Sequence, residues 1–234
     1  MVAHLLDNIF WNTLTGPHAV FAAGSGDVRR YARGFSPILG FRDPQRPDFA
    51  ELERICDVGE HFYCDQWTGH APAGWAIEAE STMYRMVYAG DLPPDGPGDD
   101  ATQLSLEHAE QAVALAALTR PGPFGLRTIE LGDYYGYFDG GQLVAMAGER
   151  TVVKGYREIS GVCTHPDYQG RGYARALMQR LMRQQLLRGE TPFLHVMSAN
   201  APAHTLYLRM GFTDHSEPVV RVIGRTDPRA ATAS

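Results

Sequence analysis

The residues best placed to do chemistry lie in the second half of this 234-residue chain. The run Val162-Cys-Thr-His-Pro-Asp-Tyr-Gln-Gly-Arg-Gly-Tyr-Ala-Arg175 ends a strand, turns through a glycine-bearing loop and enters a helix at once. Within it, Gln169-Gly170-Arg171-Gly172-Tyr173-Ala174 offers several backbone N–H groups with few side chains in the way. Those amides, with about half a positive charge at a helix N-terminus, suit a phosphate or pyrophosphate. Arg171 and Arg175 could add charge-assisted contacts. Taken alone, the loop reads equally well as a tight strand–helix turn, because short glycine motifs recur by chance.

The elements that must position this loop follow from periodicity. Thr102 to Ser105 alternates as a short strand, and Glu107 to Thr119 has helical apolar spacing stopped by Pro121 and Pro123. Tyr134–Phe138 and Leu143–Ala147 alternate on either side of Asp139-Gly140-Gly141, a hairpin signal. Glu158 to Thr164 is a further strand. Gly172 to Arg188 is an amphipathic helix with Ala174, Leu177, Met178 and Leu181 on one face, closed by Gly189. Pro192 to Met197 reads as a strand, Ala201 to Met210 as a short helix, and Phe212 onward as two final strands. That order predicts an α+β domain around a mixed sheet.

Two motifs then carry a resemblance. The loop is similar to the Gln/Arg-x-x-Gly-x-Gly/Ala signature of the GNAT superfamily of N-acetyltransferases. The tail Asn200-Ala-Pro-Ala-His-Thr-Leu-Tyr-Leu-Arg-Met-Gly-Phe212 resembles that superfamily's Asn-x-x-Ala…Leu-Tyr-x-x-x-Gly-Phe ending. Spacing and order agree across residues 102–225, and the half most resembles the branch with glycine N-acyltransferase-type C-terminal domains. The resemblance implies a GNAT-like mixed β-sheet flanked by helices, with acetyl-CoA as co-substrate and an amine of a small molecule or peptide as acceptor. The backbone of Val162, Cys163 and Thr164 would pair with the pantetheine arm. Gln169, Gly170, Arg171, Gly172, Tyr173 and Ala174 would cradle the pyrophosphate, with Arg175 beside them, and Asn200 would hydrogen-bond near the pantetheine. Loss of turnover would leave an acyl-CoA-binding regulatory module instead.

Acetyl transfer to an amine needs a neutral amine, a stabilised oxyanion and a leaving thiolate. A backbone N–H near Val162 would meet the oxyanion. By the resemblance, Tyr207 is the acid that protonates the thiolate; its alternative is an aromatic anchor for the short helix. By the same resemblance Glu158, fourteen residues before Gly172 where protein-acetylating members carry a glutamate, is the leading base, with a solvated or Arg-paired carboxylate on an exposed strand face as its alternative. His195 is the rival, its imidazole titrating near neutrality, and Glu149 is a third. Cys163 is not needed as a nucleophile, since direct transfer has none.

The first half is less informative. Asp91-Leu-Pro-Pro-Asp-Gly-Pro-Gly-Asp-Asp100 has a linker composition and marks a boundary, giving an α+β N-terminal region over 1–95 and a GNAT-like domain over 100–234. By the resemblance, the N-terminal region covers the acceptor side and could be a degenerate copy of the same fold. It holds Asp48 to Val58 as a helix and Trp75–Ala79 and Met83–Tyr88 as strands. Cys56, His61, Cys64 and His70 are spaced too irregularly for a familiar zinc finger, so no metal is expected. Residues 1–99 carry 7 Arg against 14 Asp and Glu, and residues 100–234 carry 14 basic against 13 acidic side chains. Neither half has the basic excess of a nucleic-acid binder, and net charge favours a cationic acceptor. No apolar run approaches the roughly 20 residues of a membrane span. Three cysteines and the absence of a leader-like start suggest the cytoplasm. Beyond the acceptor, the partner to expect is at most a second copy of the chain, a homodimer.

Overall fold

A computed structural model describes residues 4–227. The first half contains α1 (His4–Asp7), α2 (Ile9–Thr15), β1 (Ala22–Ala23), β2 (Val28–Tyr31), β3 (Leu39–Phe41), α3 (Phe49–Arg54), β4 (His61–Asp65) and β5 (Trp75–Tyr88). The second contains β6 (Thr102–Gln103), α4 (Ala109–Thr119), β7 (Tyr134–Asp139), β8 (Gln142–Val153) and β9 (Tyr156–Thr164). It continues with α5 (Tyr173–Leu187), β10 (Thr191–Met197), α6 (Ala201–Arg209), β11 (Phe212–Ser216) and β12 (Val219–Arg225). The periodicities of the second half are realised with shifts at the ends, whereas the strands expected at Trp75–Ala79 and Met83–Tyr88 are one continuous strand, β5, and the helix expected from Asp48 to Val58 is confined to Phe49–Arg54.

Nine strands form one sheet in the order β4-β12-β5-β10-β9-β8-β7-β6, with β11 also paired to β5. Only β9 and β10 run parallel; the other pairs in this sheet are antiparallel. This is the mixed α+β sheet flanked by helices that the element order implied. Helix α5 lies on one face, burying Leu177, Met178, Leu181 and Met182 against Ala145, Ala147, Ile159 and Leu194. On another layer, α4 packs Ala112, Leu115 and Ala116 against Met146 and Cys163. The alternation of β8, with Ala145 and Ala147 in one cluster and Met146 in the other, is the period-2 rule of a strand covered on both faces.

The boundary expected near residues 95–100 is not a break in this sheet. Strand β5 precedes it in sequence yet sits between β12 and β10, so the halves share their hydrogen-bond ladders. The linker-like composition describes a crossover laid along α5. Arg180 donates to the carbonyls of Gly98 and Ala101, and Arg183 to that of Pro93. Nor do the first ninety residues build a second sheet of the large kind. They form a three-stranded sheet, β1-β2-β3, and lend β4 and β5 to the shared one. Leu6, Ile9, Phe10 and Leu14 of the N-terminal helices share a core with Val153, Phe193 and Val220.

Two packing details of the N-terminal half lead to measurable outcomes. A Cβ at Gly40 on β3 would lie 2.3 Å from the backbone nitrogen of Trp11 in α2, an atom that cannot rotate away. Gly40→Ala should lower stability by about 1–3 kcal/mol, read as a reduced urea midpoint. His18 is 5% exposed and its Nδ1 shares a 2.8 Å hydrogen bond with the Tyr31 hydroxyl. Burial, helped by the Arg157 charge, lowers its pKa from 6.5 to about 4. The unfolded chain therefore takes up this proton first, and the stabilisation is complete above pH 6.5 and lost as pH falls through 4. The loss is on the order of 3 kcal/mol. His195, lowered chiefly by burial, acts in the same direction. Urea midpoints at pH 7 and 4.5 should differ less in His18→Gln than in the parent chain.

Candidate functional site

The parallel pairing of β9 and β10 is short. It runs Thr191 opposite Tyr156, Pro192 opposite Arg157 and Phe193 opposite Glu158, and then stops. Beyond that point β9 stays with β8 and β10 stays with β5, so the two strands turn unpaired backbone edges toward each other. A cleft of about 370 Å³ opens there. Its walls include Val162 of β9, Leu194 and Val196 of β10, Tyr207 of α6 and Asn200 at the N-cap of that helix. The N-terminal half supplies Phe10, Tyr63, Glu80 and Ser81, and the segment after α4 supplies Arg120 to Pro123.

Two bulges shape the floor. Between Val152 and Glu149, β8 advances three residues while β9 advances two, from Arg157 to Ile159. Between Gly148 and Met146 the imbalance reverses, with β9 carrying the extra residue between Ser160 and Cys163. A bulge removes a residue from the ladder and re-aims its groups. At the first, the Thr151 amide donates to Glu158 Oε2 at 3.1 Å rather than to a strand. At the second, Gly161 takes φ +64°, the left-handed region that glycine fills without strain.

Glu158, the last β9 residue paired with β10, has a fully buried carboxylate. It accepts two bonds from Arg150, at 2.6 and 3.1 Å, and one from the Thr151 hydroxyl at 2.7 Å. His195 Nδ1 lies 2.8 Å from its Oε1. Burial pushes this carboxyl's pKa up, but the Arg150 charge and the bonds from Arg150 and His195 outweigh it and hold it well below the usual range. His195 Nε2 accepts from Arg85 Nε at 3.0 Å, which fixes Nδ1 as the protonated nitrogen. Arg85 in turn donates to Asp65 at 2.7 Å.

This arrangement changes the roles expected for the bases. Glu158 is neither solvated nor facing the cleft; its lone pairs are taken up by five donors. His195 borders the cleft, yet both ring nitrogens are engaged within the protein. Glu149 is buried on the other side, bonded to Gln185, the Asp133 amide and Arg188. None of the three has a free acceptor position in the cleft. Glu80 is the one carboxylate among the lining residues; its side chain is 52% exposed and paired with Arg221.

The remaining expected residues lie along the cleft or at the start of α5. Burial raises the Tyr207 phenol to about 12, so it stays protonated at neutral pH. Asn200 caps α6, its Oδ1 accepting from the Ala203 amide at 3.3 Å, and its Nδ2 has no partner among the described residues. Val162 packs against the α5 core, whereas Cys163 points into the α4 core. Burial lifts the Cys163 thiol to about 11, which removes it as a nucleophile. Thr164 remains laddered to Ala145 on β8. Past the end of β9, Gln169 is extended, Gly170 has φ +76° and Gly172 has φ +85° at the N-cap of α5. No side chain caps this helix, and the amides of Gly170, Arg171, Gly172, Tyr173, Ala174 and Arg175 have no backbone acceptor among the described residues. The fifteen residues of α5 thus begin with uncapped amide donors, the positive end of the helix dipole. Arg171 lies over the Tyr168 ring at 4.6 Å, and Arg175 is exposed.

Sequence reasoning missed Arg150, Arg120, Glu80 and Arg221. A signal for the first exists: Arg150 and Glu158 are opposite charges on the two strands that flank the Lys154-Gly155 turn. The other three lie far apart in sequence and meet only in the folded chain.

Residues 104–212 match the family model described as Acetyltransferase (GNAT) family. A proposed GNAT-family acetyltransferase from Novosphingobium aromaticivorans is similar at 29% identity and TM-score 0.84, over 96% of this chain and 100% of that one. A GCN5-related N-acetyltransferase from Kribbella flavida shares the fold at 16% identity and TM-score 0.57, covering 99% and 98% of the two chains. A GCN5-related N-acetyltransferase-like protein from Streptococcus suis shares it at 15% and 0.57, covering 95% and 97%. No curated protein matches the sequence. Among the described residues, no helix is long and apolar enough to cross a membrane, and no group of three or more His, Cys, Asp or Glu could hold a metal. The chain thus has the GNAT acetyltransferase fold, and its residues 104–212 are those that the GNAT family model matches.

Proposed function

We propose that the chain is an acetyl-CoA-dependent N-acetyltransferase acting by direct attack of an amine. The observation that carries this reading is the early end of the β9–β10 pairing, which opens a cleft bordered by a protonated Tyr207. The kinship with glycine N-acyltransferase-type domains belongs to the same proposal and rests on the loop and tail motifs alone.

In this reading the pantetheine arm pairs with the free edge of β9 from Val162 to Thr164, and the pyrophosphate sits on the amides of Gly170 to Ala174, with Gln169 leading into the loop. Asn200 donates through Nδ2. The neutral amine nitrogen attacks the thioester carbonyl carbon, and a β9 amide near Val162 donates to the resulting oxyanion. As the C–S bond breaks, the sulfur takes its proton from Tyr207, which is refilled from water. The proton lost by the amine leaves through water in the cleft, where Glu80 is the acidic side chain within reach. Glu158 and His195 serve by holding the floor rigid. Because the site binds without a covalent step, loss of Tyr207 would convert it to the alternative, an acyl-CoA-binding module without turnover.

Tyr207→Phe should lower kcat by roughly a hundredfold while coenzyme A affinity falls far less, measured by thiol release and by calorimetry. Coenzyme A binding with no thiol release across a panel of amines, in the parent chain, would instead establish the binding module. Gly172→Ala should weaken coenzyme A binding without unfolding the chain. A Cβ there meets nothing within 4 Å, so the substitution acts through the φ of +85° that aims the α5 amides.

A further inference from the structure

The charge of the whole chain points toward a cationic acceptor, but the cleft itself is differently made. The wall supplied by the first half and by β12 is largely apolar: Phe10, Ile38, Tyr63, Met83, Val220 and Val222. Of these, Phe10, Ile38, Met83 and Val220 are buried members of one core cluster, so the packing of the sheet fixes this wall.

An ammonium ion entering the cleft would leave water for groups that cannot receive it. It brings three N–H donors and a charge, and needs unpaired acceptors to offset the loss of hydration. The one carboxylate among the lining residues, Glu80, accepts from Arg221 at 2.6 Å. Arg221 is itself held by the Gly69 carbonyl, at 2.6 Å, and lies 4.6 Å over the Trp67 ring. His195 also lines the cleft, but its Nε2 accepts from Arg85 and its Nδ1 is bound to Glu158. Glu158 is bonded to Arg150, and the Nη1 of Arg150 has no partner among the described residues. Arg120 is the third cation of the lining, and the phenols of Tyr63 and Tyr207 complete its titratable groups. Every negative charge in or directly behind the cleft is thus already paired.

We infer that the acceptor is an apolar amine that enters the cleft uncharged, an aromatic amine rather than an alkyl amine. This rests on the acetyltransferase reading above and narrows it to a substrate class. An alkyl amine with a pKa near 10.4 is neutral in only about one molecule in 2,500 at pH 7. No unpaired carboxylate or imidazole lines the cleft to take its proton. An aromatic amine is neutral in water, because its lone pair is shared with the ring, and that ring suits the apolar wall. Its nitrogen attacks the thioester carbonyl carbon, and the C–S bond breaks as Tyr207 protonates the sulfur. The N–H proton passes to water, from which Tyr207 is refilled, and the products are an anilide and the free thiol.

The test measures thiol release from acetyl-CoA by the full chain with two ring amines of similar size, aniline and cyclohexylamine. At pH 7 aniline should be preferred in kcat/KM by about tenfold or more. From about pH 6.5 to 8.5 the aniline value should stay nearly flat, while that of cyclohexylamine climbs about tenfold per pH unit with its neutral fraction. Arg221→Gln, which frees the Glu80 carboxylate, should raise cyclohexylamine severalfold and leave aniline close to the parent value. Equal or better use of cyclohexylamine at pH 7, or a cyclohexylamine profile that levels off within this range, would overturn the inference. Either outcome requires a group in the cleft that receives the ammonium and takes its proton. An Arg221→Gln chain that folds and leaves the ratio unchanged would overturn it too; should that chain not fold, the parent profiles decide alone. If no amine gives thiol release, the acetyltransferase reading fails separately, and calorimetry on the coenzyme A-saturated chain at pH 7 decides this one. Aniline should then bind more tightly than cyclohexylamine; equal binding, the reverse order, or none by either refutes it.

Discussion

The buried ion pair between Arg150 and Glu158 is the constraint on which the rest of the cleft depends. A carboxylate removed from water is costly unless its lone pairs are filled, and removing one partner of such a pair typically costs about 3–5 kcal/mol. Here two guanidinium bonds, a hydroxyl, a backbone amide and an imidazole fill them. The amide is available because β8 bulges at that level. The chain of contacts runs on from His195 to Arg85 and Asp65, so side chains from β8, β9, β10, β5 and β4 are joined through one polar line. It crosses the sheet at the level where β9 and β10 part.

Much of the second half was legible in the sequence for local reasons. The helix α5 announces itself by apolar spacing and by glycines at both ends, and the β7–β8 hairpin by its Asp-Gly-Gly turn. Asn200, Tyr207 and the glycine loop could be found because each lies within a short motif whose spacing is set by one helix or one turn. The roles of Glu158 and His195 were not legible. Both could be assigned to strands from the sequence, but their chemistry depends on Arg150 and Arg85, which reach them across strands. The β8 bulge that admits Thr151 to the network has no glycine of its own to mark it.

Composition misled in one further way. The prolines, glycines and aspartates of residues 91–100 read as a spacer, yet Arg180 and Arg183 tie that backbone to α5. Likewise the acidic balance of the first half says nothing about the cleft. Of its 14 acidic residues, Glu80 alone lines it, and Arg221 neutralises that one. Net charge governs solubility and long-range steering, whereas recognition is set by the few groups left unpaired at the site.

The position of β5 also bears on how the chain comes to fold as it is made. Its partners are β10, β11 and β12, more than a hundred residues later in the sequence. A nascent chain that has just completed Tyr88 therefore has a fourteen-residue strand whose large-sheet partners are still to be synthesised. Closure waits for the last strand, β12, which threads between β4 and β5. Such long-range pairing makes for slow folding and a period of exposed strand edges. A cut at the proline-rich crossover, inviting as it looks, would yield two fragments, neither with the complete nine-stranded sheet.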